Sequence, residues 1–292
     1  MIRMDADLNE AVIVIAREAG AAIMAVYENA DQNAHGNAFA VEHKADASPL
    51  TAADMAAHHI IVEGLQRLKP EWPVLSEEAA DIPWSVRSQW STYWLVDPLD
   101  GTREFIKRNG EFTVNIALIK HNVPIFGVVY APVTGELWHA EEGRHAYRRQ
   151  GEVDVLLRTR VPAQAPLRVA ASRSHRDART QALLERMGNI ETVGLGSSLK
   201  FCRIAEGTLD VYPRFGPTSE WDTAAAQCVL EAAGGALLAP DGRAFRYNRR
   251  DTLLNGDFIA LGDPALPWRD WLTNREHNEN GMHGGTGHAR HG

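Results

Sequence analysis

The chain has 292 residues, 45% of them hydrophobic and 23% charged, enough to build one large domain or two half-sized ones and too apolar to be disordered over most of its length. Its formal net charge of −8 argues against broad nucleic-acid binding, which needs a basic face to displace counterions. The only two cysteines, Cys202 and Cys228, are too few for a disulfide scaffold; both fall in helix-like sequence and are expected as buried free thiols, as a reducing compartment allows.

Along the chain, Leu8, Val12, Ile15, Ala19, Ala22, Ile23 and Val26 recur at helical spacing, so an amphipathic helix is expected over about 6–29. Its apolar run Ala11–Ala16 is short and followed at once by Arg17 and Glu18, without the pattern of a cleaved signal. No stretch approaches the roughly 20 apolar residues that span a bilayer, so a cytoplasmic protein with no membrane span is expected. Pro49 and Thr51 open a second helix over about 51–69. Short apolar runs at Trp72–Leu75, Tyr93–Val96, Phe112–Ile119, Pro124–Tyr130 and Glu136–His139 read as strands separated by turns.

A polar, Pro-containing stretch near 143–166 is the expected break between a first half (about 1–145) and a second (about 165–275) of one domain covering 1–275. Beyond it strands and helices alternate: Leu167–Ala171, Asp177–Met187, Thr192–Leu195, Ser197–Glu206, Leu209–Arg214, Trp221–Ala233, Phe258–Leu261 and Trp268–Asn274. This rhythm predicts layered α/β structure. Residues 276–292, rich in His, Gly and Asn, read as a disordered tail whose His277, His283, His288 and His291 are solvated rather than a metal site.

Chemistry concentrates in Trp94-Leu-Val-Asp97-Pro98-Leu99-Asp100-Gly101-Thr102-Arg103-Glu104-Phe105. An apolar strand ends in Asp97, which Pro98 keeps extended. Asp100 then stands where a helix could begin, with Gly101 and Thr102 in its first turn. Two carboxylates three residues apart at a strand end can converge on a hard cation, and the Leu99 carbonyl between them offers another oxygen. The free amides of Gly101 and Thr102 would face a phosphate. A bare Asp-x-x-Asp is also an ordinary turn, Glu77-Glu78 alone an exposed acidic turn, and Asp222 alone a helix N-terminal charge.

The full strings are more specific. Leu75-Ser76-Glu77-Glu78, Val96–Thr102 and Trp221-Asp222-Thr223-Ala224-Ala225, in that order along the chain, resemble the signatures of the magnesium-dependent, lithium-sensitive phosphatases that include inositol monophosphatase, fructose-1,6-bisphosphatase and the 3′(2′),5′-bisphosphate nucleotidases. Ala226 departs from the Gly usual there, a small-for-small change. The resemblance covers about residues 6–275 and implies an αβαβα sugar-phosphatase or inositol monophosphatase-like sandwich. It implies two or three Mg2+ ions, with Glu77, Asp97, the Leu99 carbonyl, Asp100 and Asp222 as ligands. Glu77 and Thr102 would orient the attacking water, and Asp46 would help to hold a further, weaker metal. Dimers are common in the family, so a homodimer is compatible with it.

Within that family, Thr102-Arg103-Glu104-Phe105 and Lys44-Ala-Asp46-Ala-Ser-Pro49-Leu-Thr51-Ala-Ala-Asp54 resemble the nucleotidases rather than the inositol phosphatases. Gly196-Ser-Ser198-Leu-Lys200 and Tyr212-Pro-Arg214 are similar to the CysQ-type branch, where such segments contact the nucleotide and its second phosphate. A substrate with two phosphates needs a cationic clamp for the one not cleaved, and Lys200 and Arg214 suit it. Ser172, Ser174 and His175 follow a strand and could line the same cleft. Gly194-Leu-Gly196-Ser-Ser-Leu199 nearly spells a dinucleotide turn, but its third glycine is Leu199. The implied activity is hydrolysis of the 3′-phosphate of adenosine 3′,5′-bisphosphate, a step in sulfur metabolism. The alternatives are an inositol or sugar monophosphatase, or a regulatory binding protein on the same fold.

Overall fold

The computed structural model describes residues 6–33, 49–171 and 178–272. The chain opens with α1 (Ala6–Asn33) and α2 (Pro49–Leu68), then β1 (Val74–Ser76), a 3-10 turn at Glu77–Ala79 and a short α3 (Trp84–Arg87). β2 (Thr92–Asp100), α4 (Thr102–Ile106), β3 (Thr113–Lys120), β4 (Val123–Ala131), β5 (Glu136–Glu141), β6 (Ala146–Gln150) and β7 (Val153–Leu156) follow. These strands form one sheet in the order β1 to β7, antiparallel except for the parallel pair β1/β2.

The second part contains β8 (Leu167–Ala171), α5 (Ala178–Met187), β9 (Ile190–Gly194), α6 (Leu199–Ala205) and β10 (Val211–Arg214). A 3-10 turn at Glu220–Asp222 leads to α7 (Ala224–Ala232), β11 (Ala236–Leu238), β12 (Phe258–Leu261) and α8 (Trp268–Leu272). Its five-stranded sheet runs β11-β12-β10-β8-β9.

Strand alternation sorts the apolar residues into layers. On β2 and β3, Trp94, Val96, Val114, Ile116 and Leu118 pack with Val12, Ala19, Ile23, Ala57 and Ile61 of α1 and α2. The opposite face, through Tyr93, Leu95, Ala117 and Ile119, joins a core with α6, α7 and Tyr212, Phe258 and Ala260 of the second sheet. The far side of that sheet, through Val169, Val211, Ile259 and Leu261, is covered by Leu183 and Leu184 of α5 and Trp268 and Trp271 of α8. The result is helix, sheet, helix, sheet, helix, the αβαβα sandwich that the family resemblance implies. α7 lies so close to β4 that a Cβ on Gly127 would stand 2.3 Å from the Ala225 carbonyl oxygen.

Several expectations change. The stretch near 143–166 carries β6 and β7, so the first sheet ends at Leu156 and the crossover follows it. Those strands escaped notice because β7 is an edge strand with all four residues exposed and β6 gives Arg148 and Arg149 to ion pairs rather than to a core. β11, three residues long, is a further strand beyond those the sequence pattern predicts. Asp100 does not start a helix: β2 runs through it, and α4 begins at Thr102 after Gly101, whose φ of 99° is left-handed. Both cysteines are free and buried, on α6 and α7, as expected. The tail at 276–292 lies outside the described residues. Among the described residues, no helix is long and apolar enough to cross a membrane.

Candidate active site

Pro98 has no N–H to give the β2/β3 ladder, and the ladder slips there. Asp97 pairs with Asn115 and Asp100 with Thr113, so three steps on β2 match two on β3. The extra residue is a β-bulge. In a regular strand, residues three apart face opposite ways; the bulge restores Asp97 and Asp100 to one face. The Asp97 Oδ1 accepts the Leu99 N–H at 3.1 Å, which closes the local turn.

Asp222 arrives from the second part of the chain at the end of the 3-10 turn before α7. Ser219 and Asp222 form a reciprocal capping box there, with the Ser219 N–H donating to Asp222 Oδ2 at 2.8 Å. Oxygens of Asp97, Asp100 and Asp222 lie within 4.8 Å of one another. Ser198 links the two sides: its N–H and its hydroxyl lie 2.7 and 2.9 Å from Asp100 Oδ2, and the hydroxyl lies 3.1 Å from the Asp222 carbonyl oxygen. Asn115 donates to the Ser198 Oγ at 2.8 Å from below.

The electrostatics suit a cation. Burial, then Asp100, Glu77 and Asp222, push the Asp97 carboxyl well above the carboxylate range. Burial, then Asp100, push Asp222 up to about 7. Burial raises Asp100 too, opposed by Lys200 and the Ser198 and Asn115 donors. Every major influence on Asp97 is burial or another acid. Such a cluster is costly by itself, and a bound divalent ion removes the cost. An all-oxygen donor set fits a hard cation such as magnesium. Glu77 stands beside the cluster, its carboxyl pushed up chiefly by burial, with Asp97 and Trp221 favouring its charged form and Glu78 and Asp100 opposing it.

Asp100 and Asp222 line a cleft of about 470 Å³ together with Gly101, Thr102, Lys200 and Arg214. The Lys200 ammonium is buried, donates to the Ser197 carbonyl at 2.9 Å and lies 5.1 Å from the Tyr212 ring centre. Burial lowers its pKa to about 8, against the pull of Asp100. Arg214 donates from Nη2 to the Pro217 carbonyl, while its buried Nε has no partner among the described residues. Ser198 was expected as a substrate contact; its polar atoms face Asp100 and Asp222 instead, and it is Ser197 that lines the cleft. Asp46, Ser174 and His175 lie outside the described residues.

Two further acids stand here, Asp54 from the nucleotidase-like string that begins at Lys44 and Glu111, which the sequence does not single out. Asp54 on α2 is buried and pushed up to about 7 by burial and then by Glu78 and Glu77. Glu111 accepts the Gly196 N–H at 2.8 Å, fastening the loop before α6 to the loop before β3. Glu111 sits in no motif whose spacing announces chemistry, and the string that holds Asp54 gives that residue no role of its own.

Fold and site together define a carboxylate metal centre on a five-layer α/β sandwich. The sequence model of the inositol monophosphatase family matches residues 5–277, and the chain belongs to that family. The chain is 51% identical to the 3′(2′),5′-bisphosphate nucleotidase CysQ of Escherichia coli (strain K12) over 248 residues, which are 85% of this chain and 96% of that protein. It is 35% identical to the protein of the same name from Haemophilus influenzae over 271 residues, 92% of this chain and 98% of that one. Among solved structures, CysQ from Bacteroides thetaiotaomicron superposes with a TM-score of 0.76 at 41% identity, covering 87% of this chain and 97% of its own. The resemblance to the CysQ-type branch is thus borne out. An inositol monophosphatase from Zymomonas mobilis, 23% identical, shares the fold with a TM-score of 0.73 over 92% of this chain and 99% of its own.

Proposed function

We propose that this protein is a magnesium-dependent phosphomonoesterase that removes the 3′-phosphate of adenosine 3′,5′-bisphosphate, giving AMP and phosphate. One observation carries the reading: Asp100 and Asp222 of the carboxylate cluster line the same cleft as the cations Lys200 and Arg214. Similarity to CysQ-type nucleotidases supports the choice of substrate.

In this reading Glu77, Asp97, the Leu99 carbonyl, Asp100 and Asp222 hold two magnesium ions, and Asp46 contributes to a third. Magnesium bound there supplies Lewis-acid stabilisation of phosphoryl charge and a more acidic water. The chain's own groups orient and bind. Glu77 and Thr102 direct the attacking water, and the amides of Gly101 and Thr102 face the scissile phosphate. Lys200 and Arg214 hold the 5′-phosphate, joined by Ser174 and His175. Ser198 serves indirectly by fixing Asp100. Water attacks phosphorus as the ester oxygen leaves, without a covalent enzyme intermediate. The two cysteines are no candidates for one, since burial pushes both thiols well above their ordinary range.

The test is phosphate release from adenosine 3′,5′-bisphosphate and from inositol 1-phosphate, each with magnesium, with EDTA and with lithium. Magnesium-dependent, lithium-inhibited preference for the nucleotide is expected. Preference for inositol phosphate would keep the metal site and discard the clamp; no release from either would favour the binding-protein alternative. Arg214→Gln should raise KM for the bisphosphate roughly 10- to 100-fold, the value of one charge-assisted contact, and leave adenosine 3′-monophosphate nearly unaffected. Equal loss on both substrates would remove Arg214 from the clamp.

A further inference from the structure

The turn that delivers Asp222 is gripped from outside the cleft. The Asn255 side-chain amide donates to the Ser219 carbonyl at 2.6 Å and lies 3.1 Å from the hydroxyls of both Thr218 and Thr223. A carbonyl can only accept, so the amide's nitrogen must be the end that faces Ser219. Backbone contacts reinforce the grip: Asn255 N–H to the Thr218 carbonyl at 2.7 Å, and Glu220 N–H to the Leu253 carbonyl at 2.9 Å. Ser219 is the residue whose N–H holds the Asp222 carboxylate, and Thr223 directly follows Asp222. Asn255 therefore brackets Asp222 on both sides.

The segment carrying Asn255 is anchored in turn to the first sheet and its loops. Asn122 donates to the carbonyls of Tyr247 and Asn248 at 2.8 and 3.0 Å, and the Arg87 guanidinium donates to Asn248 Oδ1 at 2.8 Å. The fully buried Glu220 carboxylate accepts the Asn248 N–H at 2.8 Å. Residues 247–255 thus form a strap from the first sheet to the Asp222 turn.

We propose that Asn255 is a positioning residue for the metal site, its amide fixing the Ser219–Asp222 capping box and thereby the direction of the Asp222 carboxylate towards Asp97 and Asp100. The inference rests on the reading of Asp222 as a cation ligand. Asn255 is not among the residues lining the cleft, so it acts through Asp222 and not on substrate.

Asn255→Asp tests it with no change of shape. The substitution turns the donor into an acceptor facing the Ser219 carbonyl, so the grip becomes repulsive. It also adds negative charge near the site, which by itself would tighten cation binding. Loss of positioning and simple electrostatics therefore predict opposite signs. In calorimetric titration of the purified full-length protein with magnesium chloride, Asn255→Asp should weaken binding roughly 10-fold or more, as removal of supporting contacts does at metal sites. At saturating magnesium, KM for the bisphosphate should be unchanged. Leu254→Ala, at a neighbouring exposed side chain, should match the wild type. Unchanged or tighter magnesium binding by folded Asn255→Asp would overturn the proposal. If that variant does not fold, Asn255→Ser, whose hydroxyl is too short to reach, is judged by the same criterion. Asp222→Asn separates the two levels: if it too binds magnesium normally, the ligand reading fails; if it alone loses binding, only the positioning role fails.

Discussion

Replacing Asp222 by Asn should make the metal-free protein more stable while removing much of its capacity for magnesium. The Asp222 carboxyl is raised from its ordinary 3.8 to about 7, first by burial and then by Asp100. That rise corresponds to about 4 kcal/mol of unfavourable ionisation in the folded state. Glu77, Asp97 and Asp100 share in the same repulsion, so one replacement should recover roughly half, about 2 kcal/mol. Asn retains an oxygen to accept the Ser219 N–H, so the cap survives. For a chain of this size the melting midpoint should rise by roughly 3–4 °C in EDTA near pH 8. Because the folded value is raised, the cost is full above about 7 and shrinks as pH falls towards 3.8; at about pH 5 the gain should be less than half as large. Magnesium at a hundred times its dissociation constant should stabilise the wild type by about 2.7 kcal/mol and the variant far less, reversing the ranking. Thermal melts followed by circular dichroism, in EDTA and in magnesium chloride, read both effects. A variant that melts below the wild type in EDTA near pH 8 would refute the reasoning.

Gly127→Ala places a Cβ 2.3 Å from the Ala225 carbonyl oxygen, backbone against backbone, and should cost about 1–3 kcal/mol through displacement of α7. An unchanged melting midpoint would mean that α7 is not seated as closely as described. Asp154 is held at about 2 chiefly by its paired bonds to Arg149, which also binds Glu10 on α1. Its folded value is depressed, so its contribution is present above 3.8 and is lost as pH falls through about 2. Asp154→Asn should therefore lower stability by on the order of 1 kcal/mol at neutral pH, a figure discounted for partial exposure, and converge with the wild type in strong acid. A difference constant across a pH series of urea unfolding curves would exclude this ion pair as its source.

Local pattern carried much of this structure in the sequence. The period of Leu8, Val12, Ile15, Ala19 and Ile23 marked α1, and all five are buried. Asp-Pro-Leu-Asp-Gly-Thr and Trp-Asp marked the acids that converge, because strand-end carboxylates beside a turn-forming Pro or Gly are a local signal. What stayed hidden depends on partners far along the chain. Asn255 and Ser219 are 36 residues apart, and nothing around Asn255 distinguishes it from any loop asparagine. Asp54 closes the string that begins at Lys44, but its position beside Glu77 and Glu78 emerges only once the fold brings them together. The bulge at Pro98 was concealed for another reason. Proline announces a broken ladder but not the direction of the slip, which is set by how β3 pairs on either side of it. Ser198 likewise looked like a ligand for substrate because its hydroxyl was visible in the sequence and Asp100, 98 residues away, was not visible as its partner.

The three carboxylates share a mode of attachment that bears on how the site functions. Asp97 accepts the N–H of Leu99, Asp100 that of Ser198 and Asp222 that of Ser219, at 3.1, 2.7 and 2.8 Å. One oxygen of each is thus fixed by a backbone donor, and a backbone donor has no rotamer to lose when a cation or a charged phosphoryl group arrives. Carboxylates held this way are organised before binding, so little of the interaction energy is consumed in ordering them. The same arrangement locates the site's vulnerability. Since the donors are main-chain groups in three separate turns, the ligand geometry is only as exact as the placement of those turns. The bulge after Pro98 places the first. The Asp100–Ser198 contact, supported by Asn115, places the second. The third has no sheet to rest on, being a 3-10 turn between β10 and α7, and it is this one that the strap through Asn248 and Asn255 secures.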